Sequence, residues 1–256
     1  MPSVNPFAIA GASLPAGFLQ GFLVVMVLAV VAGTLFDVVH KGSARYFLAN
    51  MRKSRDKGRN IRGGELVSIA VQTAIVDVLA SGEFCNPKRR LAHLLGMYGF
   101  VFYVVATAVM VFGYPASATS TPAIWPALWW IGALMVLVGG YWFWFFIRVD
   151  VAAEGHSPFR LAKADLFVLS LLASVTLAVV WAATGGGVGL LFWLYIVATL
   201  VLFGGVPWSK FAHMFFKPAA ALEKRLSAAN GSRSNLPAPA ARPERFGTTR
   251  KHARHY

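Results

Sequence analysis

The chain is poor in charge and nearly free of cysteine, and both absences narrow what it can be. Only 13% of its 256 residues are charged, whereas 57% are hydrophobic, and the mean hydropathy is +0.60. A soluble domain of this size needs more polar surface, so the composition indicates a polytopic membrane protein. The single cysteine, Cys85, excludes an internal disulfide, a CxxC zinc site and a four-thiolate iron–sulfur cluster within the chain.

Familiar catalytic motifs are also missing. The sequence has no Walker motif, no GxGxxG, no HExxH and no Ser/His/Asp pattern. The net charge of +14 does not indicate nucleic acid as a partner, because no basic stretch lies in a recognisable nucleic-acid fold. The N-terminus lacks the basic region of a cleavable signal peptide. Because one cysteine cannot hold an iron–sulfur cluster, a redox role would need another cofactor or a partner subunit.

Five apolar stretches have the length of membrane-spanning helices. Each has about 17 to 22 residues, which suits a hydrocarbon core of roughly 30 Å. The predicted spans are residues 16–36, 91–112, 127–147, 166–183 and 190–206. They lie in one membrane domain over residues 1–230, and the basic tail over 231–256 is predicted to be disordered. The sequence thus predicts an all-α bundle of five transmembrane helices.

A further helix is predicted in the basic loop 37–90. Residues 65–82 have helical periodicity but are too polar to cross a membrane. The apolar stripe consists of Leu66, Ile69, Ala70, Thr73, Val76, Leu79 and Ala80. We interpret this segment as an amphipathic helix on the membrane surface or against the bundle.

The distribution of charge predicts the orientation of the chain. Every Lys, Arg, Asp and Glu lies in residues 37–90, 148–165 or 210–256. Five spans place these three segments on one face and the uncharged segments on the other. The positive-inside rule then predicts an inner-membrane protein with its N-terminus outside and its C-terminus in the cytoplasm.

Two histidines lie next to apolar helix on the predicted cytoplasmic side. His93 begins the second span and His213 follows the fifth. Neutral imidazole is a preferred axial ligand of haem iron, and helix bundles build such sites from facing helices. Gly96 and Gly99, three and six positions after His93, would leave room for a flat macrocycle. The pattern predicts a haem b site with these two histidines as metal ligands.

Arg89 and Arg90 are candidates to contact haem propionates. The surroundings of His93 also allow a second interpretation. The plainer alternative is that the histidines contact lipid headgroups and the glycines permit close helix packing. His40 and His156 are weaker candidates for the metal. The predicted spans carry no charge, which argues against an ion-coupled transporter.

The stretch RRLAHLLGMYGFVFYVVAT resembles the second span of membrane cytochrome b subunits related to the nitrate reductase gamma subunit. The membrane subunit of the quinone-interacting oxidoreductase complex is among these relatives. Arg90, His93, Gly99 and Phe100 match the shared pattern, and KFAHMFFKP, which contains His213, resembles the end of the fifth span. The resemblance implies one haem b on the two histidines.

Gamma-type subunits carry a second, deeper histidine pair, and this chain departs from them there. Tyr103 and Tyr195 stand at roughly corresponding places. The departure limits the implied pairing to one haem near the cytoplasmic face.

Two more stretches, FDVVHKGSARYFLANMRKSR and GGYWFWFFIRVDVAAEGHSPFR, resemble the membrane anchor of dissimilatory adenylylsulfate reductase in sulfur-oxidising bacteria. This resemblance implies a non-catalytic anchor and electron-transfer subunit that links a cytoplasmic iron–sulfur flavoenzyme to the quinone pool. The alternative is a haem-free anchor that only recruits a soluble redox complex. In either case basic cytoplasmic loops would contact an acidic protein partner and anionic membrane lipid.

Overall fold

The computed structural model describes residues 4–40, 48–49, 51–53, 56, 58–82, 84, 86–116, 120–152, 154–162, 165–208 and 213–232. All regular secondary structure in these ranges is helical, as predicted. The chain divides into two compact units. The bundle unit comprises residues 1–37 and 91–212, and the basic unit comprises residues 38–90 and 213–256.

The described residues form a series of helices. In chain order they are α1 (Pro6–Gly11), α2 (Phe18–His40), α3 (Gly64–Gln72) with a π-helical continuation (Thr73–Leu79), α4 (Pro87–Gly113), α5 (Ile124–Trp142) with a π-helical continuation (Phe143–Ile147), α6 (Val149–Ala152), α7 (Leu166–Ala183), α8 (Leu190–Gly204) with a following 3₁₀ turn (Val206–Trp208), and α9 (His213–Ala229).

Four of these helices are long and apolar enough to cross a membrane. They are α2, α4, α5 with its continuation, and α7. Helix α8 is apolar but shorter, with 15 residues. At 1.5 Å per residue it measures about 22 Å, below the roughly 30 Å of a hydrocarbon core. The structure therefore confirms the all-α prediction, with four candidate spans and one shorter apolar helix.

Glycines set the close crossing of α4 and α5. A Cβ atom at Gly132 would stand 2.6 Å from the amide nitrogen of Tyr103 and 2.7 Å from the carbonyl oxygen of Gly99. A Cβ atom at Gly99 would meet Met135 Cβ at 2.7 Å. Only glycine lets the two backbones approach this closely, which is how small residues drive helix association in lipid.

Five aromatic side chains contact one another in a closed cycle, called the aromatic ring below, in the core of the bundle unit. The ring runs through Phe7, Trp129, Tyr103, Tyr195 and Trp181, one residue from each of α1, α4, α5, α7 and α8. Four of its contacts have centroid separations between 5.4 and 6.0 Å. The fifth is a hydrogen bond of 3.3 Å between the two tyrosine hydroxyls. Each ring contact adds about 0.5–1.5 kcal/mol beyond burial, so the ring ties five helices together.

The N-terminal helix α1 packs into this core, which the sequence analysis did not foresee. Asn5 is its N-cap, and its Oδ1 accepts hydrogen bonds from the amides of Phe7 and Ala8 at 3.0 and 3.3 Å. Its Nδ2 donates to the carbonyl of Tyr114 and to Thr121 Oγ1, both at 3.1 Å. An asparagine before a proline-led turn is a recognised N-cap signal.

In the basic unit, α3 and its π continuation pack against α9. Asp77 accepts hydrogen bonds from Nε and Nη2 of Arg225, the second at 3.0 Å. Arg59 donates to Glu65 at 2.8 Å and to the carbonyl of Ala229 at 3.1 Å, which attaches the end of α9. The hydrogen bond that Arg225 donates to Asp77 raises the pKa of Arg225, so this pair contributes throughout the physiological pH range, below the ordinary pKa of arginine.

Replacing Asp77 with asparagine should loosen α9. The side chains of Asp77 and Arg225 are 13% and 27% exposed, so solvent screens the pair and its loss should cost about 1 kcal/mol. Amide hydrogen exchange in α9 should then accelerate about fivefold. Glu154→Gln is the control, because Glu154 is half exposed and lies 3.5 Å from His156. Unchanged exchange in Asp77→Asn would show that the ion pair does not hold α9.

Candidate cofactor site around His93

The predicted ligand His93 lies near the start of α4. Its neighbour Ala92 is 4% exposed, whereas His93 is exposed. A Cβ atom at Gly139 of α5 would meet the carbonyl of Ala92 at 2.8 Å, so the helix contact passes beside His93. His93 thus lies outside the packed contact of α4 with α5.

Gly96 and Gly99 were predicted to make room for the same macrocycle, and the structure separates them. A Cβ atom at Gly96 would meet nothing within 4 Å, so the surface beside His93 is open there. The space at Gly99 is filled by α5, through Met135 and Gly132. On the bundle side the geometry therefore fits a flat group at His93 and Gly96, and it gives Gly99 a packing contact.

The two predicted propionate partners occupy the first turn of α4. Arg90 is exposed, and its Nε donates to the carbonyl of Ala80 at 2.7 Å. Arg89 is half-buried. Arg90 thus holds the connection that leads into α4, and contacts of either arginine with propionates stay a prediction.

The second predicted ligand, His213, is the first residue of α9 and belongs to the basic unit. Its side chain lies outside the described residues, so its pairing with His93 also stays a prediction. Cys85 and the predicted disordered tail beyond Ser232 lie outside the described residues as well. His40 ends α2 and is exposed, and His156 is exposed with Nε2 3.5 Å from Glu154 Oε2.

Among the residues that the structure describes, no three His, Cys, Asp or Glu side chains cluster as a metal-ion site. Haem iron needs only one or two axial ligands from the protein, since the macrocycle supplies the others. Haem ligation by His93 therefore stays a prediction.

At the positions of the deeper histidine pair, Tyr103 and Tyr195 are in direct contact. Their hydroxyls are 3.3 Å apart, and Trp129 and Trp181 pack on them at 5.4 and 5.6 Å. The Nε1 of Trp129 also donates to Thr107 Oγ1 at 3.1 Å. This part of the bundle is filled by side chains, a consequence of packing that the sequence alone did not reveal.

Two further features were missed by the sequence analysis. Arg148 is 5% exposed and donates to Asp165 Oδ2 at 2.7 Å and to the carbonyl of Arg160 at 2.6 Å, with its guanidinium 4.1 Å from the ring centroid of Trp144. It clamps the polar loop between α5 and α7. The one signal for Arg148 in the sequence was an arginine directly after an aromatic run.

The second feature is a cavity of about 350 Å³ where α2 begins, lined mainly by apolar groups.

Comparison with known families gives one match. The family model for citrate utilization protein B covers residues 78–233, more than half of the chain. This protein belongs to the citrate utilization protein B family. The matched region contains α4 to α9, and both His93 and His213 lie within it. No curated protein and no solved structure matches the chain significantly.

Membership in this family corrects the functional prediction. The assignment to the adenylylsulfate reductase anchor is wrong, and so are the links to the nitrate reductase gamma subunit, the quinone-interacting complex and sulfur metabolism. The haem-free anchor of a soluble redox complex, which was the alternative within the same functional prediction, is overturned as well. The shared pattern was unspecific for a physical reason: basic residues precede many spans, and Gly99 is required by the crossing with α5.

Proposed function

We propose that this protein serves citrate utilization from within a membrane. One observation carries the proposal: the citrate utilization protein B model matches the region that contains three of the four candidate spans. The name of the family supplies the metabolic context, and the hydropathy of the helices supplies the location.

We further propose that the chain crosses the membrane five times, with α8 as the fifth span. Helix α8 packs along most of α7, and every residue from Leu190 to Gly204 is uncharged. Five crossings of the inner membrane put the charged segments 37–90, 148–165 and 210–256 on the same side of it. By the positive-inside rule this side is the cytoplasm. Four crossings would put the basic C-terminal segment on the opposite side, against that rule.

A redox role agrees better with the spans than citrate transport does. A carrier for a multiply charged anion needs cationic groups within the membrane, because an unpaired anion is costly in hydrocarbon. In the described spans, charged residues stand only near helix ends, such as Asp37 and Arg148. The bundle interior is instead closed by the aromatic ring and by a hydrogen bond of 2.8 Å between Ser174 and Thr199.

We propose haem b as the cofactor, with His93 and His213 as ligands, and quinone as the electron acceptor. The haem would supply one-electron chemistry, and Arg89, Arg90 and Gly96 would line its edge. The support for the haem is the exposed imidazole of His93 beside the open surface at Gly96. A cytoplasmic iron–sulfur flavoprotein is the proposed protein partner.

The citrate proposal is tested by deleting the gene in a host that grows on citrate. Growth on citrate should fall at least about tenfold, whereas growth on glucose should not change, since glucose does not depend on this step. Membrane vesicles that carry the protein should show no added uptake of labelled citrate. Normal growth of the deletion strain on citrate would refute the citrate role, and uptake that depends on this chain would show a carrier instead.

A further inference from the structure

Helix α3 and its π continuation expose a long apolar stripe in the basic unit. The side chains of Val67, Val71, Ile75 and Leu79 are 61%, 50%, 54% and 50% exposed. The less exposed side of the same helix carries Ile69, Thr73 and Asp77, and Asp77 accepts hydrogen bonds from Arg225 of α9. The apolar residues predicted to form one stripe are thus divided, and the exposed series is a second apolar face.

The π-helical turn keeps this stripe straight. In a regular α-helix a spacing of four residues drifts around the axis by about 40° per step, because one turn takes 3.6 residues. The wider turn over Thr73–Leu79 reverses that drift, as the bond of 2.9 Å from the amide of Ala80 to the carbonyl of Ile75 shows. Residues spaced by four from 67 to 79 therefore stay on one face.

The connection to α4 limits how far this stripe can lie from a candidate span. Only residues 80–86 separate Leu79 from Pro87, where α4 begins, so the distance between those two residues is at most about 30 Å. The hydrogen bond from Arg90 to the carbonyl of Ala80 attaches this connection to the first turn of α4. Helix α4 is itself a candidate span.

Exposed cations flank the stripe at both ends. Arg62 precedes α3, and Lys88 and Arg90 stand in the first turn of α4. Residues 38–90 as a whole carry more lysine and arginine than aspartate and glutamate, and these bases lie before Gly63 and after Pro87, on either side of the helix. An apolar face bordered by bases matches a leaflet of anionic lipid, whose headgroups are negative and whose interior is apolar.

We propose that residues 64–79 form a membrane-surface helix whose stripe of Val67, Val71, Ile75 and Leu79 enters a leaflet containing anionic phospholipid. Arg62 and Lys88 contact the phosphate groups of that lipid. The helix carries Asp77, which holds α9, so the lipid contact also positions the segment that begins with His213.

The test uses the full chain in nanodiscs of phosphatidylcholine, with or without phosphatidylglycerol. Cys85→Ser gives a background without cysteine, since Cys85 is the only one. Spin labels are placed at Val71→Cys and Ile75→Cys, and Gln72→Cys is the matched control on the polar side of the same turn. In anionic discs the first two labels should be about threefold more accessible to oxygen, relative to a water-soluble nickel chelate, than the control.

The other outcomes overturn the proposal. Labels at 71 and 75 that the nickel chelate reaches freely show a helix in water. Labels shielded from both reagents show a protein partner or a second copy on the stripe. Equal immersion in neutral and anionic discs, or no effect of Arg62→Glu with Lys88→Glu, refutes the phosphate contact. These readouts depend on neither citrate nor haem, so failure here is distinct from failure of the proposed function.

Discussion

Replacing His93 with alanine is expected to abolish the b-type band in the reduced-minus-oxidised absorption spectrum of the purified protein. A haem held by two imidazoles loses half of its protein ligation when one is removed, so the bound fraction should fall at least about tenfold. His213→Ala should have the same effect. His156→Ala should keep the band, because His156 is exposed in a polar loop beside Glu154.

The result can contradict the haem proposal in two ways. A wild-type protein that is purified with intact helical content and shows no b-type band even after haem supplementation would refute the cofactor. A band that survives His93→Ala but disappears in His40→Ala would refute the choice of ligands. Thermal unfolding of each variant is measured in parallel, so that lost haem is not confused with lost structure.

Replacing Gly132 with leucine is expected to destabilise the bundle unit strongly. Even the first side-chain carbon at Gly132 would meet the backbone of Tyr103 at 2.6 Å and that of Gly99 at 2.7 Å. Backbone atoms in two packed helices cannot move aside without separating the helices, so the cost should reach about 3 kcal/mol or more. The midpoint of thermal unfolding in detergent should fall by about 10 °C.

Gly96→Ala is the matched control for this variant. It adds a carbon to α4 one turn from Gly99, but that carbon would meet nothing within 4 Å. Its unfolding midpoint should stay unchanged or rise slightly, because alanine is the better helix former. A leucine at 132 that leaves the midpoint unchanged would show that α4 and α5 do not cross through these glycines.

Sequence reasoning found the helices because the length of an apolar run can be read directly from consecutive residues. The predicted fourth span, 166–183, coincides with α7, and the predicted second span lies within α4. Boundaries were less accurate where polar or small residues continue a helix. Helix α2 runs on to His40 and α4 begins at Pro87, since neither a histidine nor a lysine–arginine turn interrupts backbone hydrogen bonding.

The candidate site was only partly predictable. His93 and Gly96 keep a shared open surface, whereas Gly99 packs against α5, and spacing along one helix could not separate these two roles. The family was misassigned for the same reason. A basic residue, a histidine and a glycine near the start of a span describe the entrance of a helix into a membrane as well as they describe a ligand set.

By itself, the sequence determined that this is an all-α membrane protein. Burying charge in hydrocarbon is so costly that charged residues are kept out of the spans, which leaves long apolar runs visible in the sequence. The matched region of the same sequence placed it in the citrate utilization protein B family. Only the tertiary structure decided that Phe7, Tyr103, Trp129, Trp181 and Tyr195 close one ring, and that Val67, Val71 and Ile75 are exposed. Such contacts join residues far apart in the chain, and their existence depends on how helices cross and not on any local pattern.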